Sequence, residues 1–185
     1  MAAGEGTVAM TAKLVETSGN VSIITASIAT LEAEDRSVEE AASLLGVLPP
    51  HSWPPEYNDA ATREWMRKLL KANPHEPGFG SWYVIGAGRL CGTAGYKGPP
   101  DDKGVVEIGY SIVEADRMKG FASAAVRLLV AHAFRDPRVT AVTAETLPSL
   151  LGSQAVLERC GFTLSDRRVD PDEGDILRYA ITRMA

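Results

Sequence analysis

Residues 107–123 read EIGYSIVEADRMKGFAS, and this stretch determines how the rest of the chain is interpreted. Its first part is rich in β-branched and aromatic residues, which is typical of a strand, and its last part begins a helix near Gly120. The first amides of a helix have no partner within the helix and carry the positive end of its dipole. A strand that meets a helix through a glycine-containing turn therefore predicts an anion site, with phosphate as a suitable ligand.

The turn itself carries an R-x-x-G-x-A pattern that suits phosphate binding. A glycine lets a phosphate come close to the backbone, and basic or hydroxyl side chains nearby add hydrogen bonds. The residues that we assign to this site are Arg117, Met118, Lys119, Gly120, Phe121, Ala122 and Ser123. The alternative is that Arg117 and Lys119 are solvated charges of a surface turn. In either case the backbone amides matter more than these two side chains.

A second block lies downstream, where residues 153–162 read SQAVLERCGF. The two blocks together resemble the GNAT superfamily of N-acetyltransferases, in the branch that contains the ribosomal-protein N-terminal acetyltransferases. The resemblance covers residues 80–165 and rests on the turn pattern and on an S-x-x-x-L-E-x-x-G-F helix and turn. One departure is Leu150, because many members of the branch have an asparagine there, and we expect a polar contact to the cofactor to be missing.

The resemblance implies that acetyl-CoA is the co-substrate. Its pyrophosphate is expected in the turn, and its pantetheine along the strand that contains Ser111, Ile112 and Val113. The resemblance also implies direct transfer without a covalent enzyme intermediate, with amides near these three residues polarising the thioester. The expected gap for the acyl-CoA is a splay between two central parallel strands.

The pattern of apolar residues independently predicts an α/β fold. Helices are indicated over 37–46, by a capping box, and over 59–73, by an apolar stripe that ends before a proline. Strands are indicated over 81–85, 90–96 and 105–113, and strands then alternate with helices to the C-terminus. We therefore expect a GNAT-like mixed, mostly antiparallel sheet flanked by helices, with one right-handed crossover.

The composition excludes several classes of protein. The chain has 185 residues, 45% hydrophobic and 23% charged, which suits one domain over 21–185 after a flexible segment over 1–20. A net charge of −5 argues against binding to nucleic acid. No apolar run approaches the roughly 18 residues that cross a membrane, so we expect a cytoplasmic protein. The two cysteines and three histidines lack the spacing of a metal site, and no metal is expected.

Acetyl transfer to an amine needs a proton acceptor for the amine, a polarised carbonyl and a proton donor for the thiolate. No histidine occupies a convincing position, so a carboxylate is the expected base. Glu107 is favoured over Glu145, because strand alternation places it on the same face as Ser111. Ser153 is the candidate acid. The alternatives are that each glutamate is a surface carboxylate paired with a lysine, and that Ser153 is a helix-surface hydroxyl.

The segment 48–57, LPPHSWPPEY, predicts a proline-stiffened loop that forms one wall of the acceptor site. The residues that we assign to acceptor binding are Trp53 and Tyr57 of this loop, with His51 and Glu56 beside them, Trp65 of the next helix and Tyr110 of the central strand. The alternative for Trp53 is an aromatic plug over the core.

The partner is expected to be a small-molecule or peptide amine, such as a protein N-terminus. The enzyme is expected to act as a monomer or a homodimer. The competing hypothesis is a non-catalytic acyl-CoA-binding or regulatory domain, for which Leu150 is the only indication.

Overall fold

The computed structural model describes residues 13–183, which form an eight-stranded sheet with helices on both faces. The strands are β1 (Val15–Ser18), β2 (Val21–Thr25), β3 (Ser81–Gly86), β4 (Arg89–Tyr96), β5 (Val105–Ile112), β6 (Ala141–Thr146), β7 (Thr163–Asp170) and β8 (Gly174–Thr182). The helices are α1 (Ile28–Arg36), α2 (Val38–Leu45), α3 (Ala60–Ala72), α4 (Phe121–Arg135) and α5 (Leu151–Arg159).

The sheet is mixed and mostly antiparallel, as predicted. The strands lie in the order β1-β2-β3-β4-β5-β6-β8-β7, and β5–β6 is the parallel pair within residues 13–183. Helix α4 makes the crossover between these two strands. No helix in this part of the chain is long and apolar enough to cross a membrane.

The helix starts follow the capping signals in the sequence, although the Glu40 carboxylate pairs with Arg36 and does not close the predicted capping box at Ser37. The Ser37 hydroxyl accepts from the Glu40 amide at the start of α2, and Gly46 ends that helix with a φ of 77°. The Asp59 carboxylate accepts from the Thr62 amide at the start of α3. These contacts are decided within four residues, which is why the sequence predicts them.

Strand β1 begins before the predicted start of the domain at residue 21. It pairs with β2 from Val15↔Ile24 to Ser18↔Val21. A four-residue edge strand with mostly exposed side chains carries no alternation of apolar residues, so the sequence does not predict it. Residues 1–12, most of the segment predicted to be flexible, lie outside the described residues.

The two faces of the sheet carry separate hydrophobic clusters. On one face, side chains such as Val106 and Ile108 of β5 pack with Leu129 of α4 and Leu157 of α5. On the other face, α1 and α2 pack over β2, β3 and β4; the buried members are Ile24, Ala26, Leu31, Ala42, Leu45, Tyr83, Ile85 and Leu90. The helices of this second face leave β5 to β8 uncovered, and that open area becomes the floor of a cleft.

Strands β5 and β6 separate after a short parallel ladder. Their pairing runs from Val105↔Ala141 to Ile108↔Ala144, whereas β5 continues to Ile112 in contact with β4. The Val113 amide donates to the Cys91 carbonyl, so by alternation the backbone groups of Ile112 and Tyr110 point away from β4. These groups face a gap in which β6 no longer pairs with them.

Candidate active site

Helix α4 begins without a side-chain cap, next to this gap. Gly120 occupies the N-cap position with a φ of 80°, a left-handed conformation that glycine adopts without strain, and no side chain caps the first amides. A β-carbon built on Gly120 would meet nothing within 4 Å, so the space in front of the helix is open. The amides of Phe121 and Ala122 therefore carry no side-chain cap, and the anion site predicted for them stays a prediction.

Arg117 connects this turn to two other elements. Its Nε donates to the Ile112 carbonyl at 3.1 Å, at the end of β5, and its Nη2 lies 3.4 Å from a carboxylate oxygen of Glu56 in the proline-rich loop. Lys119 is half-exposed and bonds the buried carboxylate of Asp116 at 2.7 Å. Both basic side chains of the predicted turn thus lie at the surface beside the open helix start.

Two side chains of the predicted anion site point elsewhere. Phe121 is buried in the core on the α4 face, and the Ser123 hydroxyl is buried with no hydrogen-bond partner in the described chain. Met118 is fully exposed and has a φ of 62°. The predicted contact between the Ser123 hydroxyl and a phosphate is thus corrected, because helical geometry turns this side chain inward and leaves only its amide near the turn.

A cleft of about 730 Å³ opens over the gap between β5 and β6. One wall comes from α3 and the end of the proline-rich loop, and the opposite wall from the β7–β8 hairpin. The predicted site residues that line it are Tyr57, Trp65, Glu107, Tyr110, Ser111, Glu145 and Ser153, together with Glu56 and Leu150. Sequence reasoning missed the hairpin residues that also line it, Arg168, Asp170, Asp172, Glu173 and Ile176, because charged residues around a turn carry no motif that places them beside a distant strand.

The two candidate bases lie on the same face of the sheet but in different electrostatic surroundings. Glu107 pairs in register with Thr143 and forms an ion pair with the half-exposed side chain of Lys97. Arg178 approaches the Glu107 carboxylate only to 3.9 Å.

Glu145 is held more firmly, because its carboxylate accepts from Arg168 at 2.9 Å and from Arg178 at 2.8 Å. These contacts, first of all the hydrogen bond from Arg168, hold the pKa of Glu145 below its usual value despite partial burial. A carboxylate with a lowered pKa and occupied lone pairs is a weak base, which favours Glu107.

Tyr110 and Ser153 meet from β5 and α5. The two hydroxyl oxygens lie 3.0 Å apart, and the Tyr110 hydroxyl also donates to the Ser153 carbonyl at 3.1 Å. Burial raises the pKa of Tyr110 to about 12, so the phenol keeps its proton at neutral pH. Tyr110 lies on the opposite strand face from Glu107, as predicted. Since both line the cleft, the cleft passes through the gap between β5 and β6.

Trp53 lies outside the cleft, which corrects its predicted place in the acceptor wall. Its Nε1 donates to the Glu34 carboxylate at 2.9 Å, and its ring packs on the cluster beneath α1 and α2. Glu34 is buried and also accepts from Asn58 and from the Tyr83 hydroxyl. Trp53 is therefore a plug over the core, while Tyr57, four residues later, reaches the cleft.

Comparisons with known proteins agree with this geometry. The family described as Acetyltransferase (GNAT) domain matches residues 29–163. An uncharacterized N-acetyltransferase of Bacillus subtilis, YjdG, is 30% identical over 149 residues, which is 79% of this chain and 88% of that protein.

The similar solved structures include RimL, a ribosomal L7/L12 α-N-protein acetyltransferase in complex with coenzyme A. It has a TM-score of 0.70 at 18% identity and covers 91% of this chain and 98% of its own. RimJ of Mycobacterium smegmatis, in a complex with a CoA disulfide, has a TM-score of 0.64 at 19% identity over 88% of this chain and 81% of its own. At these identities the two structures establish the fold. Within residues 13–183, no cluster of three or more histidine, cysteine or acidic side chains is placed to hold a metal ion.

Proposed function

The chain belongs to the GNAT acetyltransferase family, and from this premise we propose that it transfers an acetyl group from acetyl-CoA to a primary amine by direct attack. The observation that carries the proposal is the coincidence of three features. An uncapped helix start follows β5 along the chain, a gap to β6 opens beside the end of β5, and an open cleft is lined by residues 107–111 of the same strand.

The residues of this chain fit such a co-substrate. The open space before Gly120 and the amides that follow it suit a pyrophosphate, with Arg117 and Lys119 at the surface to add charge. The outward-facing groups of Tyr110 and Ile112 suit an extended, amide-containing chain that replaces the missing strand contact with β6. Leu150 lines the cleft with an apolar side chain. This residue therefore makes no polar contact to the co-substrate, unlike the asparagine expected at this position from the family resemblance.

Acetyl-CoA would supply the activated acetyl thioester, and three groups of the protein would act on the reaction. The Glu107 carboxylate accepts the proton that the amine loses as its nitrogen bonds to the carbonyl carbon. The Ile112 amide, which faces the gap, stabilises the developing negative charge on the carbonyl oxygen. Val113 was also predicted for this role, but its amide already donates to Cys91.

The departing thiolate needs a proton once the carbon–sulfur bond breaks. The Ser153 hydroxyl donates to the sulfur, and Tyr110 orients that hydroxyl through their hydrogen bond. Because the Tyr110 phenol stays protonated at neutral pH, it keeps a hydrogen to donate to the Ser153 oxygen, which leaves the Ser153 proton free to reach the sulfur. The acceptor enters from the side of Tyr57 and Trp65, as a small molecule or as the free end of a peptide.

Ligand-dependent thermal stability tests the cofactor site. Acetyl-CoA at a hundredfold excess over its Kd is expected to raise the Tm by about 5–10 °C, since a ligand bound only by the native state stabilises it. Gly120→Glu is expected to abolish this shift, because it places a negative charge where the pyrophosphate would lie.

Gly88→Glu is the matched control, because Gly88 also has a φ of 80° and open space around its β-carbon but lies in the β3–β4 turn. It should lose intrinsic stability to a similar extent and keep the acetyl-CoA shift. An unchanged shift in folded Gly120→Glu would rule out this site. Release of free thiol with primary amines then tests transfer, and binding without any turnover would support the regulatory alternative.

A further inference from the structure

The cleft is rich in carboxylates. Within residues 13–183, six acidic side chains line it, against two basic ones. The acidic residues are Glu56, Glu107, Glu145, Asp170, Asp172 and Glu173, and the basic residues are Lys97 and Arg168. An excess of one charge along a cleft attracts ligands of the opposite charge.

These carboxylates are not equivalent. The inner ones are paired, Glu107 with Lys97 and Glu145 with Arg168 and Arg178. Asp172 and Glu173, at the exposed tip of the β7–β8 hairpin, form no ion pair within the described chain. The interior of the cleft is therefore close to neutral, whereas its rim is negative.

The opposite rim is aromatic. Tyr57 and Trp65 line the cleft with 62% and 43% of their surfaces exposed, although residues of their size usually bury more. Exposed aromatic faces attract cations through the ring quadrupole. Glu56, next to Tyr57, adds a carboxylate that Arg117 contacts only at 3.4 Å between two half-exposed side chains.

A buried polar group also lacks a partner at this site. Thr146 ends β6, lines the cleft and is only 6% exposed, and its hydroxyl oxygen has no hydrogen-bond partner within the described chain. Buried hydroxyls are normally satisfied, so this one is available to a hydrogen-bonding group of a ligand. The same cleft thus carries a negative rim and a buried hydroxyl, that of Thr146, which can bond a polar group of a ligand.

From these observations, and resting on the proposed amine acetylation, we propose that the acceptor is a cationic amine whose extra positive charge lies away from the nitrogen that is acetylated. The attacking nitrogen must be neutral, which suits the paired interior of the cleft. The additional charge lies at the rim, between Asp172 and Glu173 on one side and the Tyr57 and Trp65 rings on the other. A basic peptide N-terminus fits this description better than a neutral or acidic one.

Two short peptides distinguish this proposal from its alternatives. Both begin with the same alanine, followed in one by arginines and in the other by citrullines, the neutral counterparts of arginine that add no second acceptor. We expect kcat/KM for the arginine peptide to be about tenfold higher at about 50 mM salt. This preference should shrink at about 300 mM salt, because rim charges are screened.

The variant Asp172→Asn/Glu173→Gln should lose most of the preference, because kcat/KM falls much more for the arginine peptide than for the citrulline peptide. Its control, Glu32→Gln/Asp102→Asn, removes the same charge from exposed positions outside the cleft and should keep the preference. Equal rates for the two peptides, or equal effects of the two double variants, would overturn the cationic acceptor and leave acetyl transfer standing.

Calorimetric binding of both peptides to the CoA-loaded protein gives a readout that does not depend on turnover. Tighter binding of the arginine peptide without acetylation of either would refute the proposed function but support a cationic ligand. Equal binding, or no binding of either peptide, would refute the cationic ligand.

Discussion

At the scale of single residues, Glu107 and Glu145 show how neighbours decide the role of a side chain. Both glutamates lie on the cleft face of adjacent strands, yet Glu145 carries two arginine partners while Glu107 has one half-exposed lysine close to it. The proton acceptor must be able to release its own partner when the amine arrives. Glu107 meets that condition more easily.

Glu107→Gln is expected to lower kcat by about a hundredfold or more and to leave acetyl-CoA binding unchanged. The loss should be largest at low pH, where free amine is scarce. Rate measurements across pH, with Glu145→Gln as the comparison, test this. If Glu145→Gln loses turnover and Glu107→Gln does not, the base is Glu145; if both keep it, water accepts the proton.

Tyr110 and Ser153 form the second residue-scale prediction. Tyr110→Phe removes the hydroxyl that orients Ser153 and should reduce kcat about tenfold without changing acetyl-CoA affinity. Because the two hydroxyls act as one unit, Tyr110→Phe/Ser153→Ala should be no slower than the slower single variant.

A thioester with a more acidic leaving thiol provides the control for a proton-donor role. It should restore most of the activity of Tyr110→Phe, because its thiolate departs without protonation. If the rate losses of the two single variants multiply in the double variant, or if the better leaving group does not restore activity, Tyr110 has only a packing role.

At the scale of elements, hydrogen bonds to α1 fix one side of the proline-rich loop, and the other side of the loop faces the cleft. Glu34 of α1 binds Trp53 and Asn58, which anchors residues 53–58 ahead of α3. Tyr57 lies between these anchors with a φ of 64°, a conformation that costs a non-glycine residue about 1–2 kcal/mol. The anchored loop thus presents Tyr57 to the cleft beside Trp65.

The two tryptophans of this region should separate stability from acceptor binding. Trp53→Ala removes a packed ring and a hydrogen bond to a buried carboxylate, so we expect a loss of about 2–4 kcal/mol in the free energy of unfolding. Trp65→Ala should cost less than about 1 kcal/mol, since its ring is partly exposed, but should raise the KM of the acceptor. Denaturant unfolding and steady-state kinetics measure both. Similar effects of the two substitutions on stability and KM would contradict this division.

At the scale of the whole molecule, strands β5 to β8 are connected by ion pairs across the open face. Arg178 of β8 and Arg168 of β7 both bind Glu145 of β6, so three strands share one carboxylate. Because the folded state lowers the pKa of Glu145, this carboxylate stabilises the fold above its unfolded pKa near 4.5. The contribution disappears as the pH falls through the lower, folded value.

The stability difference between the wild type and Glu145→Gln should therefore depend on pH. The variant is expected to be less stable at pH 7, and the difference should shrink steadily below pH about 4.5 as the wild-type carboxylate takes up its proton. Urea unfolding at several pH values measures this. A difference that stays constant from pH 7 to pH 3 would mean that Glu145 contributes through packing and not through its charge.

Local signals in the sequence predicted the parts of the molecule that depend on a few neighbouring residues. The start of α2 at Ser37, its end at Gly46 and the open turn before α4 are decided by capping and by left-handed backbone conformations. Strand alternation likewise predicted that Glu107 and Tyr110 face opposite sides. The two motif blocks indicated the family, which the match of the GNAT domain over residues 29–163 confirms.

Only the tertiary structure decided which distant groups meet. Glu107, Glu145 and Ser153 come from separate elements, and the cations that distinguish the two glutamates come from Lys97, which follows β4, and from β7 and β8. Trp53 lies outside the cleft because its Nε1 donates a hydrogen bond to Glu34, 19 residues earlier in the chain. The acidic hairpin tip faces the cleft because β8 inserts between β6 and β7. Sequence patterns report the periodicity of one element, whereas these contacts depend on the order in which separate strands pair, and that order places the charges around the site.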